Sequence, residues 1–376
     1  MAGRYKGGIA SLLPNTPLAW MAFGALLLLW LGALIDFAMW FSRLTGSFSS
    51  KTNYISHFWP YISLAGAVAG LLAQGMPNIL RSIPTVWLVF SLILLHGRMF
   101  FPGGSLPPLE GPILRVVTLN MGHIQEKHRA AYSFLRRRQK MDILFLQEVG
   151  GTAERGDRPQ IGAFLRKRLP YSVWYHVPRK GRIGLGLGIL SRYPLSDARI
   201  LPLPAGPAQR GACFETVALV AKAVVKETVI RLATTHLCPP SFPWQDEWLR
   251  PVPFGISSVW SWMANLRDTE YARKSQLSYL RQIAHGGREP FILGAVLNTT
   301  PFSLDLLNLS AGLRSAFEER GGGFGFTYPV GVFGARIDHI FYAGGLRARS
   351  AEVPEVDVSD HSPLAAELEI IPPAGG

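Results

Sequence analysis

Cysteine is almost absent from this chain: Cys213 and Cys238 are the only two among 376 residues. Two such residues exclude a disulfide framework, and their spacing matches no metal-ligand pattern. Both lie in apolar, strand-like runs, so core packing is their expected role. Acidic residues are scarce too, with 25 Asp and Glu against 38 Lys and Arg and a formal charge of +13. The shortage is uneven: residues 1–110 hold six basic and two acidic side chains, and the remainder 32 and 23. A basic surface of this kind suits anionic partners (phosphate esters, nucleic acid or an anionic lipid surface), or it simply serves solubility. A nucleotide-cradling glycine loop is lacking as well. Gly184, Gly186 and Gly188 in GLGLGIL have no strand–turn–helix setting around them and read as strand.

Long apolar runs, by contrast, are plentiful at the start. Leu18–Trp40 is apolar apart from Asp36, and Trp59–Met76 and Ile83–Phe101 follow it. A spanning helix needs about 20 apolar residues. Residues 1–101 are therefore expected to form a membrane anchor of three transmembrane helices, at about 18–40, 59–76 and 83–101. A cleaved signal peptide would account for one short run and not for three. Gly66 and Gly70 stand at GxxxG spacing, which lets helix backbones approach. Trp40, Trp59, Tyr61 and Phe100 flank the runs as an interfacial aromatic belt would. Basic residues divide evenly, with Arg4, Lys6 and Arg81 on one side and Arg43, Lys51 and Arg98 on the other, so charge favours neither orientation. Residues 102–112 (PGGSLPPLEGP) read as a stiff tether.

From Ile113 onward, β-type runs alternate with helix-like stretches. ILRVVTL, DILFLQ, GLGILS, TVALVAKAVV, VIRLATTHL, FILGAVL and IDHIFYA read as strands. Lys127–Lys140 and Thr269–Ala284 read as helices, the second with Tyr271, Leu277, Leu280 and Ile283 on one side. Many strands with few helices point to two packed sheets flanked by helices. Short polar motifs punctuate the strand ends: Asn120, Gln147-Glu148, His236, Asn298, Asp338 and Ser359-Asp360-His361. In a layered α/β domain such residues gather at one rim. Singly, each has a plainer role, such as a helix N-cap for Asn298-Thr299-Thr300 or a turn for Gln147-Glu148.

Taken in order, these motifs, with ILSRYPLSDARI, LNTTPFS, GFTYP, IDHIF and SDHSPLAAEL, resemble the endonuclease/exonuclease/phosphatase superfamily. The likeness is to its bacterial branch, in which membrane helices precede the catalytic domain. It implies an α/β, DNase I-like four-layer sandwich over residues 113–371 and a multi-pass protein of the bacterial inner membrane. It also implies hydrolysis of a phosphodiester or phosphomonoester with Mg²⁺ (or Mn²⁺), because a hard cation and its carboxylates offset phosphoryl charge. By the same resemblance Glu148 and Asp360 are metal ligands, and Asn120 assists metal or phosphate placement. His361 acts on the attacking water or the phosphoryl charge, with Asp338 fixing its tautomer. His236 donates to a phosphoryl oxygen, and Asn298 orients nucleophile or phosphate.

One position departs from the pattern. The family carries Gly-Asp-x-Asn in its third motif, whereas this chain reads Gly294-Ala295-Val296-Leu297-Asn298. Val296 thus occupies the place of the catalytic aspartate and can neither accept a proton nor polarise water. A positioned acid or base typically contributes about 10²–10⁴-fold. The expectation is a phosphoesterase weakened by Val296, and the alternative a lapsed relative that binds a phosphate ligand. Two further stretches bear on partners. Pro239–Arg267, with Trp244, Trp248, Trp260 and Trp262, reads either as a lid touching lipid, suggesting an amphiphilic phosphoester, or as a loop packed on protein. The basic residues of Lys127–Lys140 and of Arg166–Arg182 have few aromatic residues among them for base stacking. Membrane lipid headgroups therefore suit them better than nucleic acid, and a DNA or RNA nuclease is the minority reading.

Overall fold

The computed structural model describes residues 16–45, 50–73, 76–100, 104–122, 125–138, 140–149, 160–176, 186–204, 216–239, 256–330 and 333–372. The chain divides into two compact units, Met1–Gly97 and Arg98–Gly376.

The first unit is helical, with α1 (Pro17–Thr45), α2 (Ser50–Ser56), α3 (Trp59–Leu72) and α4 (Asn78–Phe100). Among the described residues only α1 is long and apolar enough to cross a membrane, so the expected three spans reduce to one. The second run forms just 14 helical residues, or about 21 Å at ~1.5 Å per residue, short of a ~30 Å hydrocarbon core. In α4, 23 residues long, the structure describes the apolar stretch Asn78–Leu94, which by itself is shorter than a span. Gly66 lies against Gly32, where an added Cβ on Gly32 would come within 3.2 Å of the Gly66 Cα. This is the close approach that the GxxxG spacing permits.

Asp36 is fully buried in this unit and ties three helices together. Its Oδ1 accepts from Trp59 Nε1 (2.7 Å), Ser63 Oγ (2.5 Å) and Ser91 Oγ (2.8 Å). Trp40 Nε1 donates to Ser91 Oγ at 2.9 Å. Trp59 is therefore no member of an interfacial belt. It is buried, because its indole N–H serves the carboxylate.

The second unit begins with β1 (Ile113–Asn120), α5 (Gln125–Arg137), β2 (Ile143–Val149), α6 (Gln160–Leu165), β3 (Tyr171–Tyr175), β4 (Gly186–Ser191) and β5 (Leu195–Pro202). It continues through β6 (Val217–Val225), β7 (Thr228–Thr235), α7 (Ile256–His285), β8 (Phe291–Val296), α8 (Leu304–Ser310), β9 (Arg314–Ser315) and α9 (Ala316–Arg320). The short hairpin β10 (Tyr328–Val330) and β11 (Phe333–Ala335) precedes β12 (Asp338–Ala343), β13 (Leu346–Glu352) and β14 (Leu364–Ile370). Two six-stranded sheets result, ordered β13-β14-β1-β2-β4-β3 and β5-β6-β7-β8-β12-β9.

The sheets pack face to face. Leu114, Val116 and Phe145 of the first meet Leu219, Leu232, Ile292 and Ile340 of the second, each contributing about 1.5–3 kcal/mol through burial. Gly294 is required here, because a Cβ would collide with the Phe145 ring. Ala131, Phe134, Leu135 and Leu165 of α5 and α6 cover the outer face of the first sheet. Leu277, Leu280, Leu306 and Leu309 of α7 and α8 cover the second. The four layers expected from the resemblance are thus present in this unit. Tyr271 is 54% exposed, so it does not share the buried side of α7 with Leu277 and Leu280. Gly186 and Gly188 lie in β4, and a Cβ at Gly188 would run into Trp174 of β3.

Two further expectations change. Cys238 is buried but disulfide-bonded; the chain's other cysteine, Cys213, lies outside the described residues. The Pro/Gly-rich segment, for its part, is strapped to the domain. Arg349 donates to the carbonyls of Pro107 (2.5 Å) and Pro108 (2.7 Å), and Glu369 Oε1 accepts from the N–H groups of Glu110 (2.5 Å) and Gly111 (3.1 Å).

Candidate active site

The inter-sheet rim gathers the polar motifs. On β1, alternation that buries Leu114 and Val116 between the sheets turns Thr118 and Asn120 the same way. Strict alternation on β2 would send Glu148 to the opposite face, with Leu144 and Leu146. A bulge at Gln147/Val149, with Glu148 at φ 51°, swings the carboxylate back instead. Beneath it, Gln147 staples the two sheets. Its Nε2 donates to Thr234 Oγ1 (2.8 Å), Thr118 Oγ1 (3.1 Å) and the Gly294 carbonyl (3.2 Å).

Six of the residues singled out from the sequence form one continuous run of contacts. Asp338 Oδ2 meets His361 Nδ1 at 2.7 Å. His361 Nε2 lies 3.4 Å from Asn120 Nδ2, which donates to Glu148 Oε1 at 2.9 Å. The same Glu148 oxygen is 3.4 Å from His236 Nε2, and that nitrogen is 3.1 Å from Asn298 Nδ2. Asn298, at φ 51°, also donates to the Leu237 carbonyl at 2.8 Å. Asp338, Asn120, His361 and Asn298 are all buried. Burial pulls the His361 imidazole down, but the charge and hydrogen bond of Asp338, with Glu148 and Asp360 beyond, outweigh it and raise its pKa above the ordinary value.

Asp360 joins from the loop before β14, with its Oδ1 accepting from Ser359 Oγ at 2.9 Å. It reaches the rim because Gly122, at φ 63°, has no side chain there; a Cβ would collide with the Asp360 carboxylate. Gly122 N–H donates to Asn120 Oδ1 at 2.9 Å, which fixes that amide's orientation.

Sequence reasoning did not assign roles to three residues that the fold adds. The Tyr328 ring lies 4.8 Å from the His361 ring. Burial, then the charges of Asp360 and Glu148, push its phenol pKa up. The GFTYP motif was its only signal. Gln147 is the second addition. The third is His339, which is buried and contacts the Thr299 carbonyl through Nε2 at 2.9 Å, supporting the loop after Asn298. Burial, and then Arg336, lower its pKa to about 3, so the imidazole is neutral and donates there.

Val296 sits in the middle of the rim. It pairs with Asp338 on β12 and bridges to His236 at the end of β7. It is fully buried and shares the inter-sheet face of β8 with Ile292 and Gly294. Asp338 Oδ1 is also buried here and has no hydrogen-bond partner among the described residues. The rim therefore has a polar surround with an apolar centre. Glu148 and Asp360 supply the hard oxygen donors that Mg²⁺ favours, and one or two carboxylates are its usual protein complement. No group of three or more His, Cys, Asp or Glu suited to a metal occurs among the described residues. The donor set fits a cation completed by water and substrate, and does not fit an all-protein cage. Of the Trp-rich stretch, residues 240–255 and the side chains of Trp260 and Trp262 lie outside the described residues. The backbone from Ile256 onward forms the start of α7.

The Endonuclease/Exonuclease/phosphatase family model matches residues 117–361. Among solved structures, an endonuclease/exonuclease/phosphatase from Beutenbergia cavernae superposes with a TM-score of 0.52 at 20% identity, covering 69% of this chain and 72% of that one. Truncated TDP2 from Caenorhabditis elegans gives 0.49 at 17% identity, with 70% and 100% coverage. The human Nocturnin catalytic domain gives 0.49 at 18%, with 70% and 96%. No curated protein matches the chain.

Proposed function

Because this chain belongs to the Endonuclease/Exonuclease/phosphatase family, we propose that it is a membrane-anchored phosphoesterase dependent on a divalent cation, slowed by Val296. The observation that carries this reading is the unbroken run Asp338–His361–Asn120–Glu148–His236–Asn298 at one rim. Family membership alone would allow a decayed site. Six polar groups held in mutual contact support the reading that the site is retained.

Glu148 and Asp360 would hold the cation, Mg²⁺ or Mn²⁺, which when bound neutralises charge on the phosphoryl oxygens. The remaining work falls to the chain's own groups. Asp338 takes the Nδ1 proton of His361 in a hydrogen bond, which fixes the tautomer and directs Nε2 into the site. His236 and Asn298 present donors to a phosphoryl oxygen, and Asn120 holds Glu148 in place. Tyr328, raised in pKa, stays protonated and offers a further O–H. The position that would orient the attacking water carries an isopropyl group. A non-catalytic phosphate binder is the second reading, and Val296 is the observation that favours it.

Helix α1 supports anchoring in a membrane, for which a bacterial inner membrane is the proposed location. The substrate class extends to phosphodiesters, phosphomonoesters and phosphate esters of lipids; nucleic acid is not favoured. The test is hydrolysis of bis(p-nitrophenyl) phosphate and p-nitrophenyl phosphate by the full chain in detergent, with Mg²⁺ or EDTA. Turnover that needs Mg²⁺ and disappears in Glu148→Ala supports the enzyme. Saturable vanadate binding without turnover supports the binder.

A further inference from the structure

The first sheet carries a surface that the site does not use. On α5, Ala131, Phe134 and Leu135 are buried, while Arg129, Arg136 and Arg137 are exposed on the opposite side, continued by Lys140. Arg166 and Lys167, just beyond α6, are exposed as well. The two helices meet directly. The Tyr132 and Phe164 rings stack at 5.4 Å, and Arg168 donates to the Arg136 carbonyl. Residues 129–140 and 160–171 contain no Asp or Glu. Arg138 pairs with Glu352 of β13, and none of the six exposed cations has a carboxylate partner among the described residues. An ordinary solvated face mixes both signs; the described side chains of this one do not.

We infer that this face docks on anionic phospholipid headgroups. Its exposed cations are unneutralised, and Phe164 and Tyr171 stand 43% and 42% exposed beside them, as amphipathic side chains do at a headgroup layer. The chain also carries α1, an apolar helix long enough to cross a bilayer. Single-stranded nucleic acid would need open aromatic faces for base stacking, and the Phe164 ring is already stacked on Tyr132. The docking rests on the anchoring reading above, and each cation contributes about fivefold to surface partitioning.

The test uses the full chain in nanodiscs of phosphatidylcholine, with or without phosphatidylglycerol. Acylation of Lys140 and Lys167 by a water-soluble N-hydroxysuccinimide ester is followed by peptide mass spectrometry, with exposed Lys226 as the internal reference. Anionic discs should slow both target lysines at least about fivefold relative to zwitterionic discs, and leave Lys226 unchanged. High salt, or the combined substitution Arg129→Glu, Arg136→Glu and Arg137→Glu, should restore the faster rate with melting unchanged. Equal rates in the two discs would overturn the docking. So would protection of the same lysines by a short oligonucleotide in zwitterionic discs, which would give the face to nucleic acid. A chain that fails to co-elute with discs removes the anchoring reading and the docking with it.

Discussion

Val296→Asp tests the central claim about this site with a magnitude that follows from the backbone. Leu297 N–H bonds to the Ile337 carbonyl at 2.9 Å, which makes Val296 and Asp338 a non-hydrogen-bonded antiparallel pair. In that arrangement Cα atoms lie about 4.5 Å apart and side chains are at their closest. Two carboxylates ~5 Å apart repel by about 3 kcal/mol at an effective dielectric near ~20. In EDTA the variant should therefore melt about 6–12 °C lower than the native chain, and Mg²⁺ should recover part of that loss. With Mg²⁺, phosphodiester hydrolysis should rise by about 10²–10⁴-fold. Val296→Asn introduces polarity without charge, and should show neither the EDTA-dependent drop nor the rate gain. Calorimetry in EDTA and Mg²⁺, alongside a steady-state bis(p-nitrophenyl) phosphate assay, reads both effects. A folded, Mg²⁺-responsive Val296→Asp that turns over no faster than the native chain would refute the idea that this position limits the chemistry.

The remaining predictions concern other parts of the chain. Burial first, only partly offset by Arg273 and Lys274, raises the pKa of Asp305 from 3.8 to about 6. The folded state then binds the proton more tightly than the unfolded one, so stability falls as pH rises from about 4 to 6 and stays lower above it, by up to about 3 kcal/mol. Asp305→Asn should flatten that decline and raise the melting temperature at pH 8, measured by calorimetry across pH. Tyr328→Phe should lower kcat about tenfold or more with little change in KM if its O–H acts on the reacting phosphate; an unchanged kcat restricts the ring to packing on His361. Asp36→Leu leaves the donors of Trp59 and Ser91 without their acceptor, at about 1–3 kcal/mol for each buried group, whereas Ser63 keeps the Trp59 carbonyl. It should unfold the helical unit earlier in a sodium dodecyl sulfate titration followed by Trp fluorescence. Peptide mapping without reductant should recover Cys238 in a disulfide, and a free thiol at Cys238 would contradict its bonded state.

Much of the second unit was legible from local pattern. Strands buried on both faces, such as β2 and β8, read as continuous apolar runs because helices cover one side and the other sheet covers the second. β13 and β14 were not read as strands. LRARSAE and LAAELEI mix charge with small residues, and Arg347, Arg349 and Glu369 are there to bind each other and the strap at Pro107–Gly111. The helical unit was misjudged for a related reason. Hydropathy counts apolar residues without regard to where the helix stops, and α3 stops at Leu72.

Within the site, the sequence by itself determined which groups are present and which is absent. Strand-end motifs in a fixed order name their carriers, and a valine at position 296 cannot ionise in any fold. Tertiary structure alone decided how those groups meet. No local pattern shows that a bulge turns Glu148 inward, that Gly122 admits Asp360, that Gln147 joins the two sheets, or that Tyr328 closes over His361. These are contacts between segments dozens to hundreds of residues apart. Their energies depend on register and approach distance, quantities that exist only once the two sheets have packed.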